Sequence, residues 1–166
     1  MTDAAAARIA DVFNQAFFAS HNTLMSGGAA EPTYEPPTPH APGRVVFTYD
    51  YPASALHEAA HWCLASDARR RRHDYGYWYV PGPRDAQQRA AFFSVEADVQ
   101  ALEAIFAGIC GVRFVVSADD FAAAPVELEE FAQRVAQRIT ARRTRLPVRG
   151  QRFYDALRRA FQYERG

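Results

Sequence analysis

Five prolines fall between Pro32 and Pro42, inside the stretch GGAAEPTYEPPTPHAPG that covers residues 27–43. Proline fixes φ and has no N–H to donate, so this stretch can be neither a helix nor a central strand, and it is predicted to run as an extended surface loop. It divides the chain into two parts of different character. On its N-terminal side, Ile9, Val12, Phe13, Ala16 and Phe17 recur at helical spacing, which predicts a helix from about Ala4 to Ala19 with Asp3 available as its cap. On its C-terminal side, RVVFTY (44–49) is a short β-rich run. A helix is predicted directly after it, from Pro52 to Ala68, with Arg69 to Arg72 at the end where cations are favoured.

The rest of the chain is read in the same way. DYGYWYV predicts an aromatic strand, followed by a Pro-Gly-Pro turn. A helix is predicted from Asp85 to Ala107, broken near Ser94, with Val95, Val99, Leu102 and Phe106 as its apolar stripe. VRFVVS is a further strand candidate, and two Arg-rich helices are predicted at about 126–143 and 150–163. A chain of 166 residues that is 49% hydrophobic can bury one sizeable core but not two. The expected fold is therefore a single α+β domain over residues 1–166, with a small sheet packed against several helices.

MTDAAAARIADVFNQAFF has acidic residues and no long apolar run, so it reads as neither a secretory signal nor a membrane span. Cys63 and Cys110 are too few for a disulfide framework. A cytoplasmic protein without membrane contact is expected. Net charge is zero, but residues 1–130 carry 9 Arg against 17 Asp and Glu, while residues 131–166 carry 10 Arg against 2. Basic C-terminal helices of this kind attract an acidic partner.

The candidate chemistry lies in HEAAHWC, residues 57–63. Residues four apart lie on one helix face, so His57 and His61 can direct ring nitrogens at a single ion. Glu58 is rotated by about a third of a turn and can reach a metal-bound water rather than the metal. Two imidazoles need a third ligand, and the downstream candidates are His73, Asp74, Asp85, Glu96, Asp98 and Glu103. Glu96 is favoured because it sits beside the apolar stripe of its helix. Asp98 falls on nearly the opposite side, and Glu103 lies about 10 Å farther along the axis. Zinc with Glu58 as general base would hydrolyse peptides, as in zincin-like proteases. Two histidines and a carboxylate with open positions are equally the ligand set of non-haem iron oxygenases. The residue types leave both open.

Three blocks, ASALHEAAHWCLASDARR, DYGYWYVPGPRDAQ and SVEADVQALEAIF, in this order and at these separations, closely resemble the bacterial elongation factor P hydroxylase family. The resemblance runs from DVFNQAFF to at least Phe114 and becomes diffuse in the last fifty residues. It implies a protein hydroxylase acting on the β-lysylated lysine of elongation factor P, an acidic protein partner, with no direct nucleic-acid contact. It also implies a divalent metal, iron with zinc as the alternative, on His57, His61 and Glu96, with Glu58 catalytic beside it. Tyr75, Tyr77, Trp78, Arg84 and Asp85 fall in a matching block, which implies that they bind substrate or form the site wall. Val80 stands where the family often has a cysteine.

Overall fold

The computed structural model describes residues 2–76, 85–117 and 124–162. Its chain order is helix α1 (Thr2–His21), strands β1 (Thr23–Ala29), β2 (Thr33–Glu35) and β3 (Gly43–Thr48), then helices α2 (Pro52–Leu64), α3 (Asp67–Arg70), α4 (Ala86–Cys110), α5 (Pro125–Thr144) and α6 (Val148–Gln162). A tight turn at His73–Gly76 follows α3. The architecture is α+β, as expected, with the helices carrying most of the mass.

The sheet differs from expectation in its extent. The strand read at 44–49 is β3, and it is central: β1 pairs with it in parallel and β2 antiparallel. Residues 27–43 are not one loop, because the end of β1 and all of β2 lie within them. Proline still sets the limits, since β2 is an edge strand of three residues that ends at Glu35, just before Pro36 and Pro37. Gly27 allows β1 to approach: a Cβ there would lie 2.3 Å from the Tyr49 carbonyl oxygen and 2.5 Å from the Phe47 ring.

Helix α2 starts at Pro52, as predicted, but ends at Leu64 rather than Ala68. Ser66 causes the break by accepting a hydrogen bond from the Arg69 N–H, which starts α3 on a new axis. The Arg149 guanidinium, brought in by α6, donates to the carbonyls of Trp62, Cys63 and Ala65 and so caps the end of α2 from a distant part of the chain. Helix α4 runs without a break through Ser94, and Val95, expected in its stripe, is exposed. VRFVVS is not a strand: the Gln100 side chain bonds both main-chain groups of Ser117 and takes the place of a neighbouring strand. At Asp74–Gly76 the chain forms the turn, not a strand, and the remainder of that predicted strand lies outside the described residues.

The main core joins α1, the sheet, α2, α4 and α6 around Phe13, Phe17, Trp62, Phe106 and Phe153. A smaller cluster, Phe93 and Ala97 with Phe131 and Val135, fastens α5 to α4. The main core packs α2 against α4, the helix pair that carries the candidate chemistry. Among the described residues no helix is long and apolar enough to cross a membrane.

Candidate metal centre

Strand β3 turns through Tyr49–Tyr51 into α2, where the Ser54 hydroxyl accepts the Thr48 N–H (2.9 Å) and fixes the angle of entry. From there His57 and His61 project toward α4 one turn apart, with ring centroids 4.9 Å from each other. Across from them is Glu96. His57 Nε2 lies 3.2 Å from Glu96 Oε1, and His61 Nε2 lies 3.6 Å from Oε2. Among the described residues these three form the group able to hold a metal, with one ligand atom from each and all within 4.8 Å of one another.

The second nitrogen of His57 identifies a residue that the sequence reading placed elsewhere. His57 Nδ1 donates to Glu103 Oε2 at 2.8 Å. Glu103, weighed as a third ligand, is the carboxylate that orients the first. Glu96 and Glu103 lie two turns apart on α4, and their side chains converge on the two nitrogens of one ring. With the proton fixed on Nδ1, neutral His57 presents an Nε2 lone pair to Glu96 Oε1, itself an acceptor. Two acceptors 3.2 Å apart require a positive charge between them. A proton on His57 would satisfy that pair alone, whereas one cation satisfies both histidines and the carboxylate. Ligands bound at zinc-like distances stand about 3.0–3.5 Å from one another, so the 3.2 and 3.6 Å separations lie close to what a single ion requires.

Gln100 adds a further tie. It is buried, and its amide donates to Glu96 Oε1 at 3.3 Å while holding Ser117. Glu96, Gln100 and Glu103 thus form a polar stripe at i, i+4 and i+7 along the face of α4 that meets α2. That stripe was the available signal for the supporting residues, because a core helix buries such groups only when each has a partner.

The electrostatics favour His61 and Glu96 as ligands, while His57 would give up a proton to an incoming ion. Burial, reinforced by the charge of His57, lowers His61 to about 4, which leaves it neutral. Burial alone would raise Glu96, but its bond to His57, the charge of His57 and the bond from Gln100 hold it down at about 2, so it is anionic. Burial lowers His57 as well, yet its bonds to Glu103 and Glu96 outweigh that and raise it well above its ordinary value. Glu58 is 8% exposed, and burial pushes it up to about 7, with Glu96, Asp74 and Glu103 adding to the effect against the charge of His57. It lies outside the ligand group.

The other expected residues are distributed as follows. Tyr75 is buried with its ring nearly parallel to His61, centroids 6.1 Å apart. Asp85 is the N-cap of α4, accepting from the Gln88 N–H in a reciprocal capping box, about 16 Å along the helix from Glu96. Tyr77, Trp78, Arg84 and Val80 lie outside the described residues.

Two comparisons bear on this geometry. Residues 12–165 match the family described as elongation factor P hydroxylase, EpmC. The chain belongs to the elongation factor P hydroxylase family. A relative from Haemophilus influenzae, elongation factor P lysine hydroxylase, is 38% identical over 129 residues, which is 77% of this chain and 72% of that protein. The family match contains α2 and α4 entire, so the histidine pair, Glu96 and Glu103 all lie within it.

Proposed function

We propose that this chain hydroxylates the β-lysylated lysine of elongation factor P at a metal centre held by His57, His61 and Glu96. Family membership supports the reaction class, and the observation that carries the site is the facing of three lone-pair donors around one point at the α2–α4 interface. A redox-active ion such as iron, bound by these side chains, would supply the electron transfer that oxygen insertion needs, which zinc does not provide.

The protein supplies the rest. Glu103 holds His57 in one tautomer and one rotation. Gln100 does the same for one oxygen of Glu96. Glu58, with its carboxyl near neutral, can give or take a proton beside the ligands at ordinary pH. Tyr75 stands beside His61 as a site wall, with Tyr77, Trp78 and Arg84 of the matching block read as part of the same wall, and Asp85 supports it by capping α4. A translation factor as substrate would be met in the cytoplasm. Exposed arginines of α5, its C-cap and α6, Arg143, Arg145, Arg158 and Arg159 among them, give an acidic partner a basic face to approach.

The test is intact-mass analysis of β-lysylated elongation factor P after reaction with iron-loaded and zinc-loaded protein. A gain of about 16 Da with an unbroken backbone, from the iron form only, is the expected result. Cleavage without any oxygenated product would replace this reading with a zinc-dependent peptidase using Glu58 as base.

A further inference from the structure

Asp74, Tyr75 and Gly76 are three consecutive residues in the left-handed region, with φ of 46°, 62° and 74°. Glycine adopts this freely, but aspartate does so at a cost and tyrosine at a greater one. Such a conformation persists only where the surroundings over-determine it, and it collects at functional sites. Much of the restraint comes from one residue of β2. Tyr34 donates its main-chain N–H to Asp74 Oδ1 (2.8 Å) and its hydroxyl to the Arg70 carbonyl (2.6 Å). Its ring stacks on that of Tyr75, with centroids 4.3 Å apart and planes 4° from parallel. The Arg69 guanidinium adds a bond to the Tyr75 carbonyl (3.1 Å), and the Tyr75 N–H donates to Arg72 (3.0 Å).

This conformation has a directional result. The Tyr75 ring is carried beside His61, within 14° of parallel and 6.1 Å between centroids, so that Tyr34, Tyr75 and His61 form a series of near-parallel rings running from the sheet edge to the ligand pair. Plain burial of an aromatic side chain does not require a left-handed backbone. A ring placed flat beside an imidazole does restrict its rotation, which is what an outer partner of a metal ligand is for.

We propose that Tyr34 is a positioning residue of the centre: it clamps the 74–76 turn in its left-handed form and, through Tyr75, sets the orientation of His61. The inference rests on the reading of His61 as a ligand. It also gives a purpose to a three-residue edge strand in a proline-rich stretch that otherwise adds little to the sheet.

Cobalt(II) titration of the full chain tests this, reading both affinity and the visible absorption of the bound ion. Tyr34→Leu should raise the cobalt Kd about tenfold and alter the spectrum, while Tyr34→Phe, which keeps the ring and the Asp74 bond, should stay within about threefold. Leu157→Ala, buried on α6, controls for general loss of stability and should leave the spectrum unchanged. Asp74→Ala removes the main-chain anchor, together with an exposed pairing to His73, and should move affinity in the same direction, which keeps the idea testable if Tyr34→Leu does not fold. A folded Tyr34→Leu protein with wild-type Kd and spectrum overturns the proposal. Should wild-type protein bind no cobalt, the ligand reading itself fails. The clamp is then judged on the His61 ring-proton shifts of metal-free protein, where a shift between wild type and Tyr34→Leu supports it and identical shifts overturn it.

Discussion

Glu58 offers a test of the site's electrostatics that needs neither substrate nor bound metal. Its carboxyl is pushed from an ordinary 4.5 to about 7, first by burial and then by the neighbouring acids. The folded value is therefore raised above the unfolded one. Between these two values the native state holds a proton that the unfolded chain has released, and stability falls as pH rises through the window from 4.5 to about 7. A difference of about 2.5 units corresponds to on the order of 3 kcal/mol. Glu58→Gln removes the titration and keeps the shape. In chelator-treated protein, denaturant unfolding at a series of pH values should show the Gln variant gaining on wild type by a few kcal/mol from about pH 4.5 to above 7, with no change outside that window. Restoring the metal should shrink the gain, since a nearby cation stabilises the carboxylate. A stability difference that stays flat with pH would mean that Glu58 is solvated or differently paired, and its proposed part in proton transfer would go with it.

Replacing His57, His61 or Glu96 by Ala should abolish stoichiometric metal in protein purified without added metal, whereas Glu103→Ala keeps all three donors and should weaken affinity by about 10- to 100-fold, as equilibrium dialysis would show. Full occupancy in Glu96→Ala would refute the choice of third ligand. Arg149→Leu strips the carbonyl cap from the end of α2 and the cation above Trp62, and should lower unfolding free energy by about 2 kcal/mol in chemical denaturation. Reversing Arg143 and Arg145 to Glu should slow association with elongation factor P and flatten its salt dependence in a stopped-flow series, and unchanged kinetics would mark the basic face as plain solvated surface. Arg138 and Arg142 are poorer probes, because both are already ion-paired with Asp98 at 2.9 and 3.3 Å.

Much of this site was legible in the sequence because its framework is local. The spacing of His57 and His61 and the position of Glu96 beside an apolar stripe need only helix periodicity, and Pro52 marks the start of α2. What escaped depends on contacts distant along the chain. TLMSGGA shows no alternation, so β1 became visible only through its parallel pairing with β3, twenty residues on. The end of α2 is set by Ser66 together with Arg149, a residue more than eighty positions away. VRFVVS has strand composition, yet its final residue is satisfied by a glutamine from α4. The role of Glu103 was hidden by treating a histidine as a single donor, when its two nitrogens address acids seven residues apart.

That last point bears on how the centre achieves its geometry. One helix supplies the histidines at i and i+4, and the other supplies Glu96, Gln100 and Glu103 at i, i+4 and i+7, so each side of the interface carries a stripe in register with the other. His57 meets two members of the opposing stripe and His61 meets one, which fixes α4 antiparallel to α2, since the earlier histidine faces the later glutamate. A slide of one turn, about 5.4 Å, would bring His57 against a different pair and leave buried charge without a partner, at a cost of several kcal/mol. The apolar cores around Trp62 and Phe106 press the helices together without specifying that register, because apolar surface is satisfied by many alignments. The polar stripe specifies it. The residues that would hold the ion are thus also those that align the two helices, and a substitution within the stripe should disturb ligation and packing together, while one in the apolar core should disturb packing first.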